Sequence, residues 1–122
     1  MAKLSEEAKK IIGELRPAVV ATANKDGKPN VSPKGSFRVL DDEHVIFIER
    51  GRLYTLANLK ENPQLSAIVF DAATRKGCRI WGKAEILDSG DLFDTISAEY
   101  ASRGITGFKY LVKVAVEEAI TF

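Results

Sequence analysis

A small antiparallel β-barrel of six or seven short strands, its ends plugged by about three helices, is the architecture that this 122-residue sequence predicts. Three observations point there. Short apolar runs recur between turn-forming pairs such as Asp26-Gly27 and Asp41-Asp42. One longer run, beginning at Cys78, alternates cleanly between apolar and polar positions. Helical periodicity is confined to three stretches. An open α+β sheet is the alternative arrangement of the same elements.

Taken in order, Ser5 with Glu6 and Glu7 behind it opens the first helix, because a short hydroxyl side chain satisfies a free N–H at a helix start. Leu4, Ala8, Ile11, Ile12 and Leu15 fall on one stripe, and Gly13 and Pro17 bring the helix to its end. "AVVATAN", "KDGKPN" and "VSPKGSF" read as strand, Asp-Gly hairpin turn and strand. "FRVLDDEHVIFIE" repeats the pattern about Asp41-Asp42, with "HVIFI" buried on both faces. A second helix begins between Leu53 and Thr55 and stops at Asn62-Pro63, after which "LSAIVFD" is a strand. In "CRIWGKAEIL", Cys78, Ile80, Gly82, Ala84 and Ile86 share the core face, while Arg79, Trp81, Lys83 and Glu85 take the other. Ser89 caps a third helix running to Arg103-Gly104, and "YLVKVAVEEAITF" makes the last strand.

Composition narrows the function classes. A hydrophobic content of 45%, a charged content of 29% and a net charge of +1 fit a single domain over residues 1–122, without the basic excess that recruits nucleic acid. Cys78 stands alone and His44 is the single histidine, so neither an internal disulfide nor a Cys/His zinc set is expected. A reduced, cytoplasmic setting follows as an expectation. The N-terminal segment is charged and amphipathic, and no apolar stretch approaches membrane-spanning length, so neither export nor a membrane partner is expected.

Two polar strips stand out as binding candidates. Arg50, Arg52, Tyr54 and Thr55 crowd donors just before or inside the first turn of the second helix, where free N–H groups and the helix dipole favour an anion such as phosphate. The plainer alternative is a helix cap with solvated arginines. In "PNVSPKGS", Asn30, Ser32 and Lys34 share one strand face while Val31 and Pro33 take the other, a pattern inverted for a core strand. Pro33 cannot donate to a ladder, which places this run at an edge or bulge where a planar ligand finds free backbone groups. A solvated edge strand is the alternative there.

The stretches "VVATANKDGKPNVSPKG", "HVIFIE", "YTLANLKENPQLSAIVFD" and "RIWGKAEIL" resemble, in order and spacing, the pyridoxamine 5'-phosphate oxidase-like FMN-binding split barrels, over about residues 11 to 88. The resemblance implies a mainly β split barrel of six or seven antiparallel strands, assembled as a homodimer with FMN at the subunit interface. Carried over residue by residue, it implies that Ser32, Pro33 and Lys34 contact the flavin, with Ile48 and Glu49 at the end of the next strand. It further implies that Tyr54 and Thr55 receive the phosphate at the helix start. Tyr54 stands where relatives often carry Lys or Arg, so Arg50, Arg52 or Lys34 is left to neutralise the phosphate, and a deazaflavin is an alternative cofactor.

Lys34 and Glu49 lie on the two strands expected to flank the ring, where a cation favours the anionic reduced flavin and a carboxylate opposes it. Rim positions pointing to water are the alternative. The Arg-x-His substrate motif of the authentic oxidases is absent from the sequence, which ends "EEAITF", and no catalytic residue is assigned. His44 reads as an ordinary strand-end residue and Cys78 as an inert core thiol. Trp81 is expected at the dimer interface, while Phe108, Tyr110 and Phe122 fit either core packing or contacts to a partner subunit. Two functions remain open: a small FMN-dependent oxidoreductase serving a small-molecule substrate or redox partner, or a non-catalytic module that carries FMN, haem or a deazaflavin.

Overall fold

The computed structural model describes residues 2–50 and 53–122. The elements run α1 (Glu6–Glu14), β1 (Ala18–Ala23), β2 (Pro29–Lys34), β3 (Arg38–Asp41), β4 (His44–Glu49), α2 (Leu53–Glu61), β5 (Gln64–Phe70), β6 (Gly77–Leu87), α3 (Asp91–Ala101) and β7 (Tyr110–Thr121). All seven strands belong to one antiparallel sheet in the order β2-β1-β5-β6-β7-β4-β3, the split barrel expected from the sequence. The split falls between β2 and β3, which follow each other in the chain but lie at opposite ends of that order.

Local chemistry accounts for most boundaries. The Ser5 side chain accepts from the Ala8 N–H at 3.0 Å and caps α1, whose Ala8 and Ile12 are buried in the core. Gly27 adopts φ +84° in the β1–β2 hairpin, which favours glycine there, and Asn24 Oδ1 accepts from the N–H groups of Asp26 and Lys28 at 2.9 Å each. Gly82 sits where the β6–β7 register shifts, and a Cβ there would lie 2.6 Å from the Ala115 carbonyl oxygen. The glycine in "GKAE" is therefore a requirement of close strand approach.

Two boundaries differ from expectation. Gly90, at φ +102°, occupies the N-cap of α3, and Ser89 instead donates to Asp88 Oδ1 at 3.4 Å. The reversal out of β6 needs a positive φ immediately before Asp91, which a serine adopts at a cost and glycine does not. The strand expected over Val31–Phe37 begins earlier and ends at Lys34, because Phe37 turns inward and stacks on Phe47 with ring centroids 6.3 Å apart.

The larger core cluster fills the barrel with Val20, Val45, Phe47, Ile80, Val112 and Val114, and takes in Ala8 and Ile12 of α1 and Leu56 and Leu59 of α2. A smaller cluster, Ile46, Leu111, Ile96 and Tyr100, seats α3 on the outer side. β4 feeds both clusters, which explains its unbroken apolar run. Each fully buried Val, Ile or Phe contributes about 1.5–3 kcal/mol relative to exposure. Phe108 packs on Phe93 and Tyr100 at 5.5 and 5.9 Å, so it is spent inside its own chain. Among the described residues no helix is long and apolar enough to cross a membrane.

Candidate functional site

β2 is an edge strand with an inverted pattern: Pro29, Val31 and Pro33 are exposed, while Asn30, Ser32 and Lys34 turn inward and are half-buried. An edge strand is where a proline such as Pro33 is tolerated, since one side of its ladder has no partner. The inward polar row of β2, the end of β4 and the start of α2 converge on one cavity of about 690 Å3, within the roughly 300–1,000 Å3 of small-molecule sites. Ser32, Pro33, Lys34, Ile48, Glu49, Tyr54 and Thr55 all line it. Arg52 lies outside the described residues.

The start of α2 is held in place from behind. Asn58 Nδ2 donates to Thr22 Oγ1 at 3.0 Å, and both residues are buried, while Leu56 and Leu59 enter the core. This fixes the rotation of the helix. Thr55 turns in toward the cavity and is buried, whereas Tyr54 stays 65% exposed at the mouth. Donors therefore differ in depth: a hydroxyl on the wall and a phenol at the rim. Arg50 donates from Nη1 to the Thr106 carbonyl at 2.8 Å and is exposed, so one of the three cations considered for a phosphate is engaged on the loop after α3.

Lys34 and Glu49 are not rim residues. Their side chains are 11% and 3% exposed and form an ion pair in the cavity wall, with Lys34 Nζ also 5.9 Å from the centroid of the Phe47 ring. Ser36 joins the same wall and accepts the Ile48 N–H at 3.0 Å, anchoring the turn between β2 and β3 to β4.

A second cavity of about 310 Å3 adjoins the first, sharing Gly35, Ser36 and Ile48. Arg16, Arg38 and Arg103 line it with Tyr100. Arg38 is forked onto Glu99, and its Nε is buried with no hydrogen-bond partner among the described residues. Nothing in the sequence pattern gathers these arginines. They come from the segment before β1, from β3 and from the turn after α3, and only the curl of the sheet brings them together.

The remaining singled-out residues fall elsewhere. His44 begins β4 at the end opposite Glu49, and its Nδ1 lies 2.8 Å from Asp41 Oδ1. Cys78 is buried, and burial pushes its thiol up to about 11. Trp81 lies on the outer sheet face with Arg79 over its ring at 5.8 Å. The cross-strand register runs Val19, Ile68, Arg79 and Ile120 along the same face, beside exposed Val31, Phe70 and Phe122. Among the described residues no helix packs on that stripe, whereas the three helices contribute to the core clusters.

Comparison with known proteins gives a consistent picture. The family model for pyridoxamine 5'-phosphate oxidase matches residues 4–120. The solved structure of HupZ from Group A Streptococcus is similar at a TM-score of 0.89 and 28% identity, over 98% of this chain and 94% of that one. An FMN-binding protein from Syntrophomonas wolfei shares the fold at a TM-score of 0.81 and 18% identity, over 95% and 84% of the two chains. HutZ, a haem storage protein from Vibrio cholerae, does so at 0.69 and 24%, over 98% and 94%. An uncharacterised protein of Methanocaldococcus jannaschii is 39% identical over 66 residues, a match that takes in 52% of this chain and 44% of that relative's length.

Proposed function

The chain belongs to the pyridoxamine 5'-phosphate oxidase family, and from that premise we propose that it is an FMN-binding flavoprotein, a small oxidoreductase or electron-transfer protein that works as a homodimer. The observation that carries this reading is the convergence of three separate segments, β2, the end of β4 and the start of α2, on one cavity. The residues there suit the cofactor. Thr55 and the first turn of α2 offer hydroxyl and N–H donors at the positive end of a nine-residue helix with no acidic residue in its first turn, where a phosphate is favoured. Ser32 and Lys34 supply donors from the inward face of β2, and Pro33 and Ile48 supply apolar wall for a planar ring.

Bound FMN supplies the two-electron chemistry, and the chain supplies position and electrostatics. Arg16, Arg38 and Arg103 line the adjoining cavity and give it a basic wall for the acidic end of a small substrate, with Arg38 held in place by its fork onto Glu99. The apolar stripe along Val19, Ile68 and Ile120 with Trp81 is the surface that the second copy covers. A second reading, a non-catalytic carrier of FMN, haem or a deazaflavin, draws support from the pairing of Lys34 with Glu49, which commits both charged groups of the inner wall to each other. Haem is the weaker choice of the three, because the one histidine lies at the far end of β4.

The absorption spectrum of the purified protein, followed by titration with FMN and reduction by a nicotinamide donor, separates these readings. A flavin spectrum with turnover supports the oxidoreductase. Flavin bound without turnover leaves the carrier, and a protein that neither carries nor binds FMN overturns both flavin readings.

A further inference from the structure

Lys34 ends β2 and Glu49 ends β4, and the sequence leads one to expect two separate charges flanking an occupant. The structure joins them instead. Lys34 Nζ meets Glu49 Oε1 in the wall of the larger cavity, with almost all of both side chains withdrawn from water. Among the described residues the other charged side chain on that wall is Arg50, exposed and committed to the Thr106 carbonyl. A buried pair of this kind gains little over a well-packed neutral pair, whereas removal of one member strands the other charge in a low-dielectric site. Two opposite charges in contact also largely cancel at distances beyond their separation.

We propose, on the ground of the flavin reading above, that Lys34 and Glu49 act as one charge-compensated couple that sets the electrostatic potential of the cofactor cavity. Glu49 is a positioning residue: it holds Lys34 Nζ on the wall and cancels its field. The lysine then gives no net stabilisation to a more negative occupant. Uptake of two electrons and one proton leaves a flavin one negative charge richer, whereas two electrons and two protons leave its charge unchanged, so the first outcome is the one sensitive to the couple. Each substitution acquires its own sign. Glu49→Gln keeps the shape and uncovers the cation; Lys34→Met uncovers the carboxylate; the double variant removes both charges together.

The test compares the wild type, both single variants and the double variant, each loaded with FMN. FMN affinity is read by fluorescence quenching, and the midpoint potential by titration with dithionite against a reference dye at neutral pH. Glu49→Gln is expected to raise the affinity ratio of reduced over oxidised flavin about tenfold, which for a two-electron couple is a rise of about 30 mV. Lys34→Met is expected to lower it by a similar factor, and the double variant to return to within about threefold of the wild type. If Lys34→Met fails to fold because its glutamate is stranded, Glu49→Gln and the double variant still decide the matter. FMN bound throughout with unchanged potentials, or with Glu49→Gln and the double variant shifted alike, would overturn the couple alone. Failure of the wild type to bind FMN would overturn the flavin reading and the couple with it.

Discussion

Arg38 and Glu99 meet in a two-bond fork: Nη1 and Nη2 of the arginine donate to the two carboxylate oxygens at 2.8 Å each, tying α3 to the edge strand β3. The planar guanidinium matches the carboxylate in geometry as well as charge. The hydrogen bonds from Arg38 hold the Glu99 carboxyl below its ordinary value of 4.5. A carboxyl depressed in the folded state stabilises the fold above its unfolded value and loses that contribution as pH falls through its folded value. Acidification below about pH 4.5 should therefore loosen α3 ahead of the barrel. Hydrogen exchange at α3 amides is expected to quicken in acid in the wild type and to be less pH-dependent in Glu99→Gln; identical profiles would show that another group governs α3.

The buried bond between Asn58 and Thr22 fixes the rotation of α2. Asn58→Ala leaves the Thr22 hydroxyl buried without its donor, at a cost of about 1–3 kcal/mol. Urea unfolding should show a lower midpoint with an unchanged slope. An unaltered midpoint would mean that Leu56 and Leu59 alone seat the helix.

Phosphate recognition at the start of α2 predicts a selective loss of affinity. Thr55→Ala removes one hydrogen bond to a charged acceptor, worth on the order of 1.5–3 kcal/mol, with a smaller effect on riboflavin, which has no phosphate. Fluorescence titration with both ligands checks it. Equal weakening for FMN and riboflavin would place the phosphate elsewhere.

A second copy over the apolar stripe predicts a dimer in solution. Such an interface should bury at least the ~1,200–2,000 Å2 of a stable complex. Light scattering at micromolar concentration is expected to give twice the chain mass for the wild type and a shift toward monomer for Trp81→Glu. A monomeric wild type with flavin still bound would remove the dimer from the proposal.

Cys78 provides a check on the interior. Its thiol, raised by burial from 9.0 to about 11, favours the folded state below about pH 9 and loses that contribution as pH rises toward 11. Stability should decline over that alkaline interval in the wild type and less in Cys78→Ala. At pH 8 a thiol reagent should find nothing in the native protein and one thiol per chain after unfolding; prompt reaction in the native state would contradict the burial.

What the sequence reveals and what it hides divide along physical lines. The alternation from Cys78 to Ile86 and the inverted run Asn30, Ser32, Lys34 both survive in the structure, because a strand's two faces are a matter of parity and parity is written in the order of residues. The cap at Ser5 and the turn at Asp26-Gly27 survive too, since each is closed by neighbours within four residues. The N-cap of α3 was not legible: the sequence points to Ser89, whereas the backbone reversal out of β6 places Gly90 at the cap.

By itself, then, the amino-acid order determined the elements, the inward polar face of β2 and the set of residues at the start of α2, all of which depend on periodicity and short-range hydrogen bonding. Tertiary structure decided what those groups meet. The union of Lys34 with Glu49, the fork between Arg38 and Glu99 and the arginine-lined cavity join residues from different strands and helices. Pairing across a sheet that follows the order β2-β1-β5-β6-β7-β4-β3 is set by how the whole sheet curls around its core, and no local pattern encodes which charges that curvature brings into contact.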